Sequence, residues 1–300
     1  MEEAGSQSHH STPQPPPSSS SPAAARLWRP AAQRNLRNQW TKLNSLRQDW
    51  RASTSAARSH ATAIVNSYLS QRYMDGMDFG VLSDMPNIRK KACAKLLKQQ
   101  ELYRGKLLSS YRDMVAVVMQ MTHCCKSMRC YFRGTSSSPV AQFSSSSEDG
   151  NDNGDCGGIP VFAFYSVSSF EELAWEIVRM FISELQVKRV LVLELLSIYD
   201  EKVADANGLH WPDELYEGEF SELSTLNLYS EETQKPKFPS LGSCESTIPI
   251  LPPKKQPDSN VLQVYITTWM VEVNIDRCRM DEVFATVGGE MRVEFVETFG

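Results

Sequence analysis

The fold is decided by the stretch RNLRNQWTKLNSLRQDW, residues 34–50. Its large apolar side chains recur every three or four residues: Leu36, Trp40, Leu43, Leu46 and Trp50. This spacing predicts an amphipathic α-helix whose apolar face packs against other elements while the residues between face water. The same period continues to Leu69, so we predict one long helix that begins beyond Pro30.

A second long helix is predicted from Ile88 to about Arg133, because apolar residues keep helical spacing across this range. Pro86 suits the start of this helix, with Ser83 or Asp84 as its capping residue. Two long helices joined by a short connection favour an antiparallel hairpin. The first half of the chain should therefore be elongated.

The central part of the chain gives mixed signals. Alternation of apolar and polar residues from Ile159 to Val167 predicts a strand. The apolar positions from Phe170 to Leu185 predict a helix that Ser168 or Ser169 caps. The run Val190 to Ile198 is read as a second strand, although so short a run suits a helix nearly as well.

Two more helices are predicted near the end of the sequence. Residues 261–275 support a helix or a strand, and their length favours a helix. Met280 to Val287 predicts a short helix that Gly288-Gly289 ends. The expected fold class is mainly α with a small α+β part: a long antiparallel helical hairpin, then a small mixed domain, with a disordered N-terminus and linkers.

Composition divides the chain into six segments. Stretches rich in Ser, Pro or Gly and poor in large apolar residues cannot offset their ordering entropy, so we expect disorder or loops there. The segments are 1–29 (disordered Ser/Pro-rich tail), 30–134 (basic helical hairpin), 135–158 (acidic Ser/Gly linker), 159–229 (small α+β domain), 230–259 (Pro-rich loop) and 260–300 (C-terminal helices that pack on the α+β domain).

Charge is distributed unevenly along the chain. Residues 1–134 hold 20 Lys or Arg against 8 Asp or Glu, and residues 135–300 hold 11 against 28. The two halves therefore carry about +12 and −17, which sum to the net −5 of the whole chain. The basic bias peaks between Arg26 and Arg58, where only Asp49 opposes it. Such a bias suits an anionic partner, either nucleic acid or an acidic protein face.

The basic peak also contains tryptophans, and arginines beside aromatic residues are typical of nucleic-acid contact surfaces. The candidate anion-binding or DNA-binding residues are Arg26, Arg29, Arg34, Arg37, Arg47 and Arg51. The alternative is that the tryptophans are core residues of the hairpin and the arginines its solvated face. The sequence has no helix-turn-helix or zinc-finger pattern, so we expect any DNA contact to be sequence-nonspecific.

The apolar stripe of the first helix offers a second kind of contact. Leu36, Leu43 and Trp50 lie seven residues apart, as in a coiled coil. We therefore name Leu36, Trp40, Leu43 and Trp50 as candidate self-association residues, which would make the protein a homo-oligomer.

The sequence argues against catalysis, metal binding and membrane insertion. His123, Cys124, Cys125 and Cys130 are close in sequence, but adjacent cysteines diverge on a helix and no C-x-x-C pair occurs. No catalytic or phosphate-binding motif occurs, so we expect no enzymatic activity, no cofactor and no metal. Apolar runs are too short for a membrane span. The acidic residues between Glu214 and Glu222 suit a docking segment or a solvated helix face.

Several segments carry a resemblance to a known family. They are RNLRNQWTKLNSLRQDW (34–50), RSHATAIVNSYLSQRYM (58–74), LSDMPNIRKKACAKLLKQQELYRGKLLSSYRDMVAVV (82–118), SMRCYF (127–132), GIPVFAFYSVSSFEELAWEIVRMFISEL (158–185), WPDELYEGEF (211–220) and LQVYITTWMVEVNI (262–275). Together they resemble the plant-specific meiotic DNA double-strand-break formation protein family. These are likenesses of whole segments rather than of catalytic motifs.

The resemblance implies a non-enzymatic accessory or scaffold factor, located in the nucleus on meiotic chromosomes. Its expected partners are other meiotic break-formation accessory proteins and the topoisomerase-like cleaving complex, with nonspecific DNA as a further contact. The family supplies no catalytic residues, so none are assigned. The alternative function is a coiled-coil adaptor of another nuclear, spindle or chromosome assembly that does not bind DNA directly.

Overall fold

The computed structural model describes residues 22–133, 142–146, 152–198, 209–239 and 257–295, with side chains from residue 26 onward. In these ranges the chain is mainly helical, with six α-helices and four very short strands. The predicted fold class, mainly α with a small α+β part, is confirmed. Residues 1–21 of the predicted disordered tail lie outside the described part.

Helix α1 (Pro22–Tyr73) has 52 residues and so extends for about 78 Å at 1.5 Å per residue. It begins earlier than the predicted boundary at residue 30 and contains Pro30, which removes one backbone donor. Trp28 explains the difference, because it is 4% exposed and its indole Nε1 donates to the Cys130 carbonyl at 2.7 Å. Tertiary contacts thus extend the helix past the point where sequence signals end it.

Helix α2 (Ile88–Lys126) runs antiparallel to α1, as predicted. Contacts near the start of α1 reach the end of α2: Asn35 Nδ2 donates to the Ser127 carbonyl at 2.8 Å. At the other end, Gln100 Nε2 donates to Gln71 Oε1 at 3.0 Å. This pairing of early with late residues defines the hairpin.

The ends of α2 differ from the prediction. Two 3₁₀ turns, Met74–Gly76 and Gly80–Leu82, form part of the connection from α1. Neither Ser83 nor Asp84 caps α2; the N-cap is Asn87, in a left-handed conformation and without a side-chain cap bond. The helix also stops at Lys126, because the chain turns into strand β1 (Tyr131–Arg133).

The described parts of the predicted linker 135–158 are tied to the end of α2. Strand β2 (Gln142–Ser144) pairs antiparallel with β1, and Phe132 faces Phe143. The Asp152 carboxylate accepts from the backbone N–H of Phe132 and of Gly154, both at 2.8 Å. Residues 134–141 and 147–151 lie outside the described part.

Neither strand predicted for the central segment forms: the first is an irregular segment, and the second lies within helix α3 (Val167–Leu196). Residues 159–166 are irregular, because the Glu290 carboxylate accepts from the backbone N–H groups of residues 163–165. The helix is capped by Ser166, which precedes the two predicted serines. Most of the run Val190 to Ile198 forms the end of α3, which extends to Leu196. A continuous apolar run is typical of a buried strand, but a helix that is buried on several sides has the same pattern.

The small strands of the second half lie after α3. Helix α4 (Glu219–Thr225) precedes a pair of two-residue strands, β3 (Tyr229–Ser230) and β4 (Lys235–Pro236). These strands are the only regular β-structure among the described residues of 159–239. Residues 199–208 and 240–256, which include most of the predicted Pro-rich loop, lie outside the described part.

Two helices close the described chain, as predicted. Helix α5 (Ser259–Val271) begins at an Asp258 cap, and helix α6 (Arg277–Met291) begins at an Asp276 cap. The prediction that Gly288-Gly289 ends α6 is wrong, since the helix continues to Met291. Residues 296–300 lie outside the described part.

Both halves of the chain share one hydrophobic core. Trp40 of α1 makes an edge contact with Phe284 of α6 at 5.6 Å between ring centroids. Trp50 of α1 contacts Phe181 of α3 at 5.2 Å. The basic hairpin is therefore covered by the acidic half, and the C-terminal helices pack on α1 as well as on α3.

Candidate anion-binding surface

The start of α1 displays four of the six predicted arginines. Arg26, Arg29, Arg34 and Arg37 are exposed, because Trp28 and other residues at helical spacing turn the opposite side of α1 toward the core. At 100° per residue, the four arginines fall within about 140° of the helix surface. Among the described residues, the first three form no ion pair with a carboxylate. We call these four residues the arginine face.

Hydrogen bonds fix the position of the arginine face. Asn35 Nδ2 also donates to the Met128 carbonyl at 3.0 Å, and Gln33 Nε2 donates to the Val161 carbonyl at 2.8 Å. Arg37 Nη2 donates to the Met291 carbonyl at 3.3 Å, and its guanidinium lies 4.9 Å from the Phe162 ring centroid. Arg37 thus joins α1 to the end of α6 while it remains exposed.

Arg47 is not part of an open basic surface, which corrects its predicted role. It is only 3% exposed, and its Nη2 pairs with Asp281 Oδ1 at 2.9 Å. Its guanidinium also lies 5.1 Å from the Phe284 ring centroid. An arginine held by a carboxylate and an aromatic face joins two helices, so Arg47 attaches α6 to α1.

Arg51 belongs to a separate site, a cleft between α1 and the helices α5 and α6. The cleft has a volume of about 450 Å³ and is lined by Arg51, Arg58 and Arg277, with Glu272 and Asp281 opposite in charge. Burial lowers the pKa of Arg51, and the nearby guanidinium groups of Arg47 and Arg277 lower it further. The arginines of this cleft lie beside two carboxylates, and Arg277 is already paired with one of them, Glu272.

Sequence reasoning missed two arginines of the cleft. Arg58 follows Arg51 by seven residues and so lies on the same side of α1, a spacing that could have identified it. Arg277 comes from α6 and pairs with Glu272 at 3.0 Å. No spacing signal connects residues 51 and 277, because only the packing of α6 brings them together.

The candidate self-association residues are core residues. Leu36, Trp40 and Leu43 are fully buried and Trp50 is 1% exposed, all against other elements of the same chain. The Trp50 indole Nε1 also donates to Glu272 Oε1 at 2.9 Å. Self-association through this stripe would require the core to open, so the predicted role is corrected to packing, as the alternative interpretation had it.

A buried ion pair organises the acidic segment after α3. Arg189 Nε donates to Glu219 Oε1 at 2.9 Å and Arg189 Nη2 to Glu219 Oε2 at 3.1 Å. The Tyr111 hydroxyl donates to the same carboxylate at 2.8 Å. Glu219 is thus neither a docking residue nor part of a solvated face. The sequence signal for this pair was that Lys188 and Arg189 interrupt an apolar run of α3, where a cation needs a partner.

A second buried pair holds α5 against α3. Lys188 Nζ lies 3.0 Å from Glu184 Oε1 and donates to the Trp269 carbonyl at 2.7 Å. Burial lowers the pKa of Lys188, and the adjacent Glu184 carboxylate opposes that shift. Both side chains are fully buried, so we assign this pair a structural role rather than a catalytic one.

Two buried thiols, those of Cys125 and Cys130, are poor candidates for reactive groups. Burial raises the pKa of Cys125 to about 12 and that of Cys130 to about 11, which keeps both thiols protonated near neutral pH. Across the ranges that the structure describes, His, Cys, Asp and Glu side chains form no group that could hold a metal ion. No helix in those ranges combines the length and apolarity needed to cross a bilayer.

Comparison with known proteins gives no further assignment. No protein-family model matches the chain, and no curated protein matches it.

Proposed function

We propose that this protein is a non-enzymatic accessory factor in programmed meiotic DNA double-strand-break formation. The proposal is supported by the resemblance of its segments to that family and by an architecture that offers extended helical surfaces. Its proposed partners are other break-formation accessory proteins and the topoisomerase-like cleaving complex, on meiotic chromosomes in the nucleus.

The arginine face is the observation that supports a DNA contact. Arg26, Arg29 and Arg34 project from one side of a rigid helix without a carboxylate partner in the described chain. Arginine binds phosphate oxygens through paired N–H donors, and backbone contacts of this kind carry no sequence information. The proposed role of this surface is to hold the protein on DNA at any sequence.

The proposed contact is tested by a charge reversal of Arg26→Glu, Arg29→Glu and Arg34→Glu in the full chain, here called the α1 triple variant. Binding of a fluorescent DNA duplex is measured over a range of salt concentrations. The wild-type affinity should fall steeply with salt, and each lost phosphate contact should reduce the log–log slope by about 1. The reversal should not unfold α1, because the three side chains are exposed and glutamate forms helices about as well as arginine.

The matched control reverses Lys90, Lys91 and Lys95 to glutamate. It changes the net charge by the same amount, but in the first turns of α2, which lie near the end of α1 and far from the arginine face. Duplex binding that falls only in the α1 triple variant supports the proposed surface. An equal loss of duplex affinity in both variants would show a general effect of net charge. It would overturn the proposal that the arginine face is the DNA contact. If the wild-type protein shows no salt-dependent binding of the duplex, the proposed DNA contact is overturned. The alternative function, an adaptor that does not bind DNA, then remains.

The meiotic role has its own test. Disruption of the gene in the source organism should reduce break-dependent recombinase foci in male meiocytes and leave chromosomes unpaired. Expression of the α1 triple variant in the disrupted line then separates the role from the DNA contact. Normal numbers of foci after disruption would overturn the meiotic proposal, whatever the protein does with DNA in solution.

A further inference from the structure

The end of the helical hairpin projects beyond the core. This hairpin tip comprises residues 73–98, which are the last residue of α1, the connection and the first turns of α2. None of its residues is buried, whereas Tyr68 before it and Gln100 after it are. The tip therefore contributes little to the packing of the chain.

The hairpin tip nevertheless carries many apolar side chains. Five of them, each at least 40% exposed, fall between residues 73 and 85: Tyr73, Met77, Val81, Leu82 and Met85. Val81 is 91% exposed. Single exposed apolar residues are ordinary, but several exposed within one short segment are typical of an interaction surface. The two methionines suit such a surface, because their flexible thioethers adapt to different partners.

Positive charge lies directly beside these apolar residues. The first turns of α2 hold five cations and no carboxylate between Ile88 and Gln100. Arg89 is used within the tip, since its Nη2 donates to the Met77 carbonyl and its guanidinium lies 4.8 Å from the Phe79 ring centroid. The four lysines of this stretch are exposed and have no carboxylate partner in the described ranges: Lys90, Lys91, Lys95 and Lys98.

We propose that the hairpin tip is the docking surface for a partner-protein segment that places acidic side chains beside apolar ones. The partner's apolar residues cover the group around Val81, and its carboxylates face the lysines of α2. Opposite charge at the edge of an apolar contact fixes orientation and speeds association. This inference is independent of the DNA contact proposed above, because it concerns the opposite end of α1.

Two other anionic partners fit the hairpin tip less well. A phosphate backbone offers no apolar surface to cover the group around Val81. An anionic lipid surface would meet three carboxylates in the same connection, those of Asp75, Asp78 and Asp84. A protein segment can accommodate these carboxylates with its own polar side chains, so a protein partner accounts for both the charge and the apolar exposure.

The test uses the full chain and a short synthetic amphipathic peptide with leucines on one face and glutamates on its flanks. Fluorescence anisotropy should detect binding of this peptide and none of a peptide with lysines in place of the glutamates. The variant Val81→Ser/Met85→Ser should lose binding, and Lys90→Glu/Lys91→Glu/Lys95→Glu should weaken it about tenfold, or about 1.4 kcal/mol. Both variants change only exposed side chains, and circular dichroism checks that they remain folded.

Matched controls are available on other elements. Val264→Ser removes an apolar residue of α5 that is 59% exposed, and Lys42→Glu reverses an exposed lysine of α1. Both should bind the acidic peptide as the wild type does. Binding that the tip variants leave unchanged, or no binding at all, overturns the proposal. The protein is also tested with phosphatidylserine vesicles and with duplex DNA. If either one binds through the tip and the peptide does not, the proposal is overturned in favour of a lipid-binding or nucleic-acid-binding surface.

Discussion

Arg189 illustrates how single residues hold this protein together. It is 2% exposed, yet each of its three guanidinium nitrogens donates a hydrogen bond. The Glu219 carboxylate accepts two of these bonds, and the carbonyls of Trp211 and Asp213 accept one each. Its guanidinium also lies 4.7 Å from the Trp211 ring centroid. A buried charge is tolerated only when it is paired and fully hydrogen-bonded. Arg189 thereby fixes the segment around Glu219 onto α3.

Replacing Glu219 by Gln should strongly destabilise the fold. The variant keeps the side-chain shape but leaves the Arg189 charge buried without a counter-ion, which typically costs about 3–5 kcal/mol. Urea unfolding followed by circular dichroism measures the change. Glu217→Gln, at an exposed position of the same segment, should change stability by less than about 0.5 kcal/mol. Equal effects of the two substitutions would contradict the structural role of Glu219.

Tyr265 should make stability depend on alkaline pH. Burial and the nearby Glu194 carboxylate raise its pKa from 10.0 to about 12. The folded state therefore keeps the phenol proton more tightly than the unfolded state, so this contribution is complete below pH 10 and is lost as the pH rises toward 12. The unfolding free energy of Tyr265→Phe should fall less steeply over that window. Identical pH dependence in the two proteins would show that Tyr265 does not contribute.

At the scale of elements, the end of α6 shows why local signals can fail. Gly288-Gly289 has the composition of a helix stop, yet the helix ends only after Met291, where Arg292 adopts the left-handed conformation. The chain then folds back, and the Val293 N–H donates to the Gly288 carbonyl at 3.0 Å. Gly288 is therefore needed for close approach of the returning chain rather than for ending the helix.

Alanine substitutions at the two glycines should have opposite effects. A Cβ on Gly288 would lie 2.7 Å from the Val293 carbonyl oxygen, so Gly288→Ala should lower stability by about 1–3 kcal/mol. A Cβ on Gly289 meets nothing within 4 Å, so Gly289→Ala should raise stability by up to about 1 kcal/mol through helix propensity. Chemical denaturation compares them. A gain in both would contradict the close approach at Gly288.

At the scale of the whole molecule, oppositely charged halves share one core. Trp40 and Trp50 of the basic hairpin pack against α6 and α3, and Tyr111 makes an edge contact with Tyr216 at 6.1 Å. The pair Arg47 and Asp281 adds a charged link between α1 and α6. The charge asymmetry of the sequence is thus partly internal, while the arginine face and the hairpin tip are two basic regions that stay exposed in the described chain.

The hairpin alone, residues 22–133, should not be a well-behaved monomer. Without α3 and α6 it would expose Trp40, Trp50 and Tyr111, and a large apolar surface promotes association. Light scattering should show oligomers of the fragment, and a hydrophobic dye should bind it more strongly than it binds the full chain. A monomeric fragment with native-like cooperative unfolding would contradict the shared core.

The candidate site was only partly predictable. The arginine face followed from composition and from the helical period, because exposed residues on a long helix are positioned by α1 itself. Arg47 was misplaced, since its burial depends on Asp281 and Phe284 from α6. The arginine cleft was missed for the same reason: Arg277 reaches Arg51 only after α6 has packed on α1.

The sequence by itself determined the helices of the hairpin, their antiparallel arrangement and the uneven charge. The reason is that the period of the apolar residues and the length of a connection are both properties of residues that are close together in the chain. Only the tertiary structure decided that the apolar stripe of α1 is core, that the run after Ile159 is loop and helix rather than strand, and which arginines stay exposed. The physical reason is that burial and ion pairing join residues far apart in the chain, as Trp50 joins Glu272. A pattern of neighbours predicts an apolar face but not what covers it.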